Sequence, residues 1–274
     1  MNFLILGATG YLGVRVMASL QEGNSIYVLY RKKNAISGQD ITYVPKERYR
    51  ELFSKVQIDW VINCAGVYQK ESNENMMEGN LIYPLQIMDA ALSYGVKNIM
   101  NINTALPANL NFYSFTKKEF GRFGNFYADS YNLNFYNLLV EMFYGPDEPK
   151  DRFFSAVADK LKQDSDVELT EGRQKRDIVH VDDVCQAVKL IMRSGWRGYH
   201  DVPVGTGEGR QVRELVEYMH KRMNSSSKLL FGAIPMRKNE PDSIADISLL
   251  KKLGYKVTYS WKSGLDKLIE GVER

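Results

Sequence analysis

Blocks of apolar residues alternate with polar, glycine-punctuated stretches along the first half of the chain. Phe3–Leu6 is continuously apolar, the pattern of a strand buried on both faces. Leu12, Val16 and Leu20, with Met17, then recur at helical spacing. Ser25–Tyr30, Ile41–Val44 and Trp60–Asn63 read as three further strands, Leu81–Tyr94 as a helix closed by Gly95 and Asn98–Asn103 as a fifth strand. Phe112–Tyr131 follows as a helix and Asn134–Val140 as a sixth strand. This alternation predicts an α/β fold with a doubly wound parallel sheet. Beyond Gly145-Pro146 the pattern loosens into helices, short strands and Gly-rich turns, which predicts a smaller C-terminal α/β lobe. There is no internal repeat or low-complexity segment.

Glycines at positions 7, 10 and 13 sit where the first strand turns into the first helix. Glycine permits positive φ in a tight turn and lets backbone approach a ligand. The helix start presents unpaired N–H groups and a partial positive charge to an anion. A dinucleotide diphosphate is the expected occupant, which makes the fold Rossmann-type, and the expected contacts are Gly7, Thr9, Gly10, Tyr11, Leu12 and Gly13. A dinucleotide binder that selects NAD places Asp or Glu at the end of the second strand. This chain has Tyr30-Arg31-Lys32-Lys33 there instead. Arg31, Lys32 and Lys33 would attract a 2′-phosphate where a carboxylate would repel it, so NADP(H) is the expected cofactor. A solvated basic turn is the plainer alternative.

Composition narrows the class. With 274 residues and 44% hydrophobic content the chain can bury a full core. A net charge of +3 gives no case for nucleic acid. Cys64 and Cys185 make no metal or disulfide framework, so no metal is expected. No stretch approaches the roughly 18 apolar residues of a membrane span. The opening strand meets glycine at once and does not read as a signal peptide. A soluble cytoplasmic protein without a membrane partner is the expectation.

The segment NFYSFTKKEF carries Tyr113 and Lys117 four residues apart, on one helical face. A free phenol titrates near 10, and a neighbouring ammonium favours its ionised form and brings it closer to working range. The strand before it ends in Thr104, a hydroxyl that could hold a reacting oxygen. Tyr113 as acid/base, Lys117 as its tuner and cofactor-ribose contact, and Thr104 as hydrogen-bond partner form the candidate catalytic set.

GATGYLG, VINCAG, NLIYPLQIMDAA, the Thr104…Tyr113-x-x-x-Lys117 set and RDIVHVDDV together resemble the extended short-chain dehydrogenases/reductases, in their nucleotide-sugar branch. The segment NINTALPANLNFYSFTKKEF is similar to that of the CDP-abequose and CDP-paratose synthases, NADPH-dependent reductases of a CDP-linked 4-keto-deoxyhexose. The resemblance implies a dinucleotide-binding domain over 1–145 and a mainly substrate-binding lobe over 146–274, with 176–203 returning to the first sheet. It implies that Cys64, Ala65 and Gly66 pass under the cofactor and that Tyr144 lies at its nicotinamide end. It implies a nucleotide-sugar substrate whose diphosphate Arg173, Arg176, Arg210 or Arg237 could grip, as guanidinium forks suit phosphate oxygens. Dehydratases of this branch carry an Asp-Glu pair after the Thr; here Ala105 and Leu106 stand there. The epimerase-reductases of the GDP-fucose synthase type pair a Cys near the Thr with the His of HVDD; His180 is present but Ala105 replaces the Cys. Reduction of a 4-keto group is the reading that remains, in deoxysugar synthesis for a bacterial surface polysaccharide. A nucleotide-sugar epimerase or an epimerase-reductase of the GDP-fucose/colitose synthase type stays open beside it, as does, from another class, a non-catalytic NADP(H)-binding redox sensor, though such sensors commonly lose the Tyr or the Lys. Family relatives often dimerise through a four-helix bundle that includes the Tyr/Lys helix, and Gly121 and Gly124 on that helix are expected to admit a second chain's backbone.

Overall fold

A computed structural model describes residues 1–30, 41–68, 71–238 and 240–273. The chain runs β1 (Asn2–Leu6), α1 (Tyr11–Leu20), β2 (Ser25–Tyr30), β3 (Ile41–Pro45), α2 (Tyr49–Lys55), β4 (Trp60–Asn63), α3 (Asn73–Met77), α4 (Tyr83–Ser93), β5 (Asn98–Thr104), α5 (Phe112–Tyr131) and β6 (Asn134–Val140). It continues with β7 (Met142–Tyr144), α6 (Phe153–Lys162), β8 (Val167–Leu169), β9 (Lys175–His180), α7 (Val181–Arg193), β10 (Tyr199–Val204), β11 (Gly209–Gln211), α8 (Val212–Arg222), β12 (Leu229–Phe231), α9 (Ser248–Lys252) and α10 (Trp261–Glu273). Two compact units result: Met1–Leu139 with Val188–Val202, and Val140–Ala187 with Pro203–Arg274.

The first unit is built on a seven-stranded sheet in the order β10-β6-β5-β4-β1-β2-β3. β1 pairs in parallel with β2 on one side and β4 on the other, Ile5 lying opposite Val28 and Ile62. The strand order therefore reverses beside β1. In open α/β sheets such a switch point leaves a ligand crevice at the carboxyl ends of the strands, and Gly7 stands at that end. Phe3, Leu4 and Ile5 are fully buried, as a strand covered on both faces requires. The sequence pattern predicts no element at α2, where Leu52 and Phe53 are buried, because seven residues are too few to display a period. The helix expected at Leu81 begins earlier, at α3, and passes through a π-helical turn, Glu78–Ile82, into α4.

Gly121 and Gly124 face their own sheet. A Cβ on Gly124 would lie 2.3 Å from Phe135 Cε1, and one on Gly121 would lie 2.8 Å from Asn137 Nδ2. The expectation that they admit a second chain is corrected: they let α5 lie close on β6.

In the second unit β9 pairs in parallel with β7 and antiparallel with β11. β12 pairs with β8, and α6, α8 and α10 close over a core of Phe154, Leu161, Leu215, Met219, Leu265 and Ile269. The buried Asp177 carboxylate accepts from Thr206 N, Thr206 Oγ1 and Gly207 N, which pins the turn before β11. Of residues 176–203, the stretch that clusters with the first unit is Val188–Val202, while β9 belongs to the second. Among the described residues no helix is long and apolar enough to cross a membrane.

Candidate active site

Three glycines shape one wall. Gly7 has φ +69°, and a Cβ there would fall 2.6 Å from Ala65 Cα and N, so β1 ends in direct contact with the turn after β4. A Cβ on Gly13 would fall 2.1 Å from the Gly7 carbonyl oxygen. Gly10 N donates to that same oxygen at 3.0 Å. Helix α1 starts at Gly10 with no side-chain cap and no acid in its first turn. Uncapped N–H groups with the positive end of the helix dipole fit a diphosphate. Thr9 and Gly10 are exposed and Tyr11 is half-buried, whereas the Leu12 side chain is in the core and offers only its backbone to a ligand. Arg31, Lys32 and Lys33, on which the cofactor choice rests, lie outside the described residues.

The second wall is the turn Cys64–Gly66 with the start of α5. Asn111 caps α5 by accepting from Ser114 N at 2.8 Å, which sets Tyr113 in the first turn. A Cβ on Gly66 would sit 3.8 Å from the Tyr113 hydroxyl, so the phenol oxygen stands over this turn with no side chain between. The Tyr68 ring meets the Tyr113 ring edge-on at 4.8 Å. One helical turn on, Lys117 is 2% exposed and its Nζ donates to the Ala65 carbonyl at 2.8 Å. Burial lowers the Lys117 ammonium to about 8, and Cys64 beside it opposes the shift. Thr104 ends β5, nearly buried, and its Oγ1 accepts from Leu106 N at 3.2 Å.

Asn80, in the π-helical turn, ties these parts together. Its Oδ1 accepts from Val67 N at 2.7 Å, and its Nδ2 donates to Val67 O at 2.9 Å and to Thr116 Oγ1 at 3.2 Å. It clamps the loop after Gly66 to the helix that carries Tyr113. In the sequence Asn80 is visible only as a polar residue at the head of the apolar run NLIYPL; the fold buries it completely.

Residues 3–205 match the description "NAD dependent epimerase/dehydratase family". The chain belongs to that epimerase/dehydratase family. The match runs from β1 to the residue after β10, so this family's span takes in the glycine turn, Thr104, Tyr113 and Lys117 and leaves Arg210 and Arg237 outside it. The chain is 29% identical to the CDP-abequose synthase of Salmonella typhimurium, with 97% of each chain covered. It is 27% identical to the CDP-abequose synthase of Salmonella muenchen, over 98% of this chain and 97% of that one. Its fold matches the UDP-glucose 4-epimerase of Thermotoga maritima, solved with UDP-glucose, at TM-score 0.89 and 21% identity, covering 100% of this chain and 99% of that one. The Thermus thermophilus UDP-glucose 4-epimerase in complex with NAD matches at TM-score 0.86 and 21% identity, with the same coverage.

Two further residues expected at the epimerase/dehydratase site are differently placed. Tyr144 is fully buried in the core of the second unit, against Phe154 at 5.4 Å and His180 at 5.9 Å. Burial raises its phenol well above the usual range. Its side chain is a packing element of this core. Arg176 is also buried: it pairs with Glu240 and donates to Pro241 O at 2.6 Å and Lys175 O at 2.9 Å. Its guanidinium ties β9 to the segment before Ser243, which corrects its place among the diphosphate-gripping candidates. Arg173 is largely exposed with Glu171 at 3.6 Å, and Arg237 is exposed. Arg210 lies over the Trp261 ring at 5.6 Å, near Glu208, in a cavity lined also by Thr206, Tyr259 and Ser260. His180 is 2% exposed and packs on Tyr259, ring centres 3.9 Å apart.

Proposed function

We propose that this protein is an NADPH-dependent reductase of the 4-keto group of a nucleotide-activated deoxy sugar, of the CDP- or dTDP-4-keto-6-deoxyhexose type. The observation that carries the reading is the Tyr113 hydroxyl over Gly66, with the Lys117 ammonium on the adjoining Ala65 carbonyl. The uncapped start of α1 and the side-chain-free turn at Gly7 suit a dinucleotide diphosphate. Preference for NADP(H) rests on the acid-free run Arg31-Lys32-Lys33. A CDP-linked substrate is supported by the CDP-abequose synthases among the relatives.

NADPH, when bound, supplies the hydride that becomes the new C–H bond at the sugar C4. Tyr113 gives its phenolic proton to the oxygen that becomes the C4 hydroxyl. Thr104 accepts from Leu106 N and keeps its own hydrogen to donate to that oxygen. Lys117 favours the phenolate left behind. Ala105 and Leu106 supply neither acid nor base, so water is not eliminated. Arg173, Arg210 and Arg237 remain the candidates for the substrate diphosphate.

The same proposal includes a cytoplasmic homodimer in bacterial surface-polysaccharide synthesis. Phe115, Phe123, Phe126 and Tyr131 of α5 are exposed, as are Met77 and Ile82 on the preceding helical segment, an apolar set that a four-helix bundle would cover. The reading is tested with a panel of CDP-, dTDP-, GDP- and UDP-linked 4-keto-6-deoxy sugars. Loss of reduced-nicotinamide absorbance with one of them, faster with NADPH than with NADH, is the expected result. Binding of NADPH with no turnover on any of the panel would overturn it.

A further inference from the structure

Four polar residues, one on each of four neighbouring strands, form an unbroken line through the first unit. Asn137 on β6 donates from Nδ2 to Asp201 Oδ1 on β10 at 2.7 Å. Asn101 on β5 donates from Nδ2 to Asn137 Oδ1 at 2.9 Å, and Asn63 on β4 donates from Nδ2 to Asn101 Oδ1 at 3.0 Å. Asn63 Oδ1 then accepts from Ala65 N at 3.1 Å. Every amide points the same way. An ionised carboxylate only accepts, so Asp201 takes the Tyr199 hydroxyl hydrogen at 2.7 Å, leaves that oxygen to accept from Asn137 Nδ2 at 3.2 Å, and requires Asn137 to turn its NH2 outward; each amide behind it inherits that orientation. The last one presents its oxygen to the Ala65 N–H, and the Ala65 carbonyl is where Lys117 Nζ donates.

The line also reaches α5 directly. Asn103 Nδ2 donates to Asn137 Oδ1 at 3.0 Å. A Cβ on Gly121 would lie 2.8 Å from Asn137 Nδ2 and 3.0 Å from Asn103 Nδ2. The helix bearing Tyr113 and Lys117 is thus seated on the same amides that hold Ala65. Asn63, Asn101 and Asn137 are at most 3% exposed. Buried amides are costly unless fully bonded, and apolar residues would fill a sheet interior more simply, so the line is unlike a device for stability alone.

We propose that Asp201 is a positioning residue: acting through Asn137, Asn101 and Asn63, it fixes the Ala65 backbone and with it the placement of Lys117. This rests on the Tyr113–Lys117 reading of the site for its kinetic consequence, while its structural consequence can be read without turnover. Asp201 is exposed at the sheet edge, so Asp201→Leu removes the carboxylate with little effect on the core and leaves Asn137 Nδ2 the weaker acceptor, the Tyr199 hydroxyl at 3.2 Å, no longer oriented by Asp201; Asp201→Ala serves where Leu disturbs folding. Asp201→Asn keeps an oxygen for Asn137 and is the conservative rescue. Amide hydrogen exchange is followed by NMR in the full chain without ligand. The expected result is that Ala65 exchange quickens about tenfold more than that of Ile5 and Ile62 in the Leu or Ala variant, and is restored in Asp201→Asn. An Ala65 rate that changes no more than those two overturns the proposal. In the reductase assay, kcat is expected to fall about tenfold in the Leu variant with substrate KM within about twofold, and to recover in the Asn variant. A wild-type kcat in Asp201→Leu also overturns it. A wild-type protein with no reductase turnover would count against the functional reading, and the exchange experiment would still decide the role of Asp201.

Discussion

The Lys117 ammonium donates to the Ala65 carbonyl at 2.8 Å, joining residues 52 positions apart in sequence. Its oxygen partner is neutral, and burial, opposed in part by Cys64, lowers this cation to about 8 from its usual 10.5. The folded-state value lies below the unfolded one, so the charged form costs the fold. That cost is fully present below pH 8 and is relieved as pH rises from about 8 to about 10.5; the gap corresponds to about 3 kcal/mol. Lys117→Met should therefore melt higher than wild type at pH 7, by about 1–3 kcal/mol of stability, with the advantage shrinking at pH 9.5. Paired thermal unfolding of the unliganded proteins checks this; an advantage that does not shrink with pH contradicts it.

Tyr113→Phe removes the proposed acid and nothing that packs. Turnover with a 4-keto sugar nucleotide should fall by roughly 10²–10⁴-fold, with NADPH affinity and melting temperature near wild type. Thr104→Val, which loses one donor to the same oxygen, should cost on the order of 10²-fold in kcat. Steady-state kinetics beside cofactor titration separates these effects from loss of binding.

Gly124→Ala tests why α5 carries small residues. Helix propensity alone would make Ala better by about 1 kcal/mol. The new Cβ would meet the Phe135 ring at 2.3 Å, so overpacking should win and destabilise the fold by about 1–3 kcal/mol. Urea unfolding measures the balance. A more stable variant would mean that the helix does not rest on β6 as described.

Phe126 is the most exposed of the α5 aromatics, at 57%. If the proposed dimer uses this face, Phe126→Asp should give a monomer by light scattering at concentrations where wild type is dimeric. A dimeric Phe126→Asp protein would place the interface elsewhere.

Strands β1 and β4 were legible because parallel strands buried on both faces are short, mostly apolar runs, and β6 was legible although Asn134 and Asn137 interrupt its run. The Tyr113–Lys117 pair was legible because a spacing of four is itself a statement about one helical face. Arg176 was not: its spacing resembles a phosphate-gripping cation, and only the fold brings Glu240, 64 residues on, against it. Tyr144 follows a strand beside a Gly-Pro turn, as a loop aromatic would, yet Phe154 and Gly264 close over it. On α5, aromatics lie on both faces, Phe120 buried and Phe123 and Phe126 exposed, so periodicity could not say which partner the glycines meet. The line from Asp201 to Ala65 joins residues up to 64 positions apart, which no local pattern encodes.

The most direct test follows the hydride itself. NADPH carrying deuterium at C4 of its nicotinamide is supplied with the active 4-keto sugar nucleotide, and the sugar product is examined by mass spectrometry and NMR. The account predicts one deuterium at the sugar C4 and one NADPH consumed per product formed, both lost in Tyr113→Phe. Product formed without deuterium and without net cofactor oxidation would contradict it, and would point to an internal redox cycle at the same site.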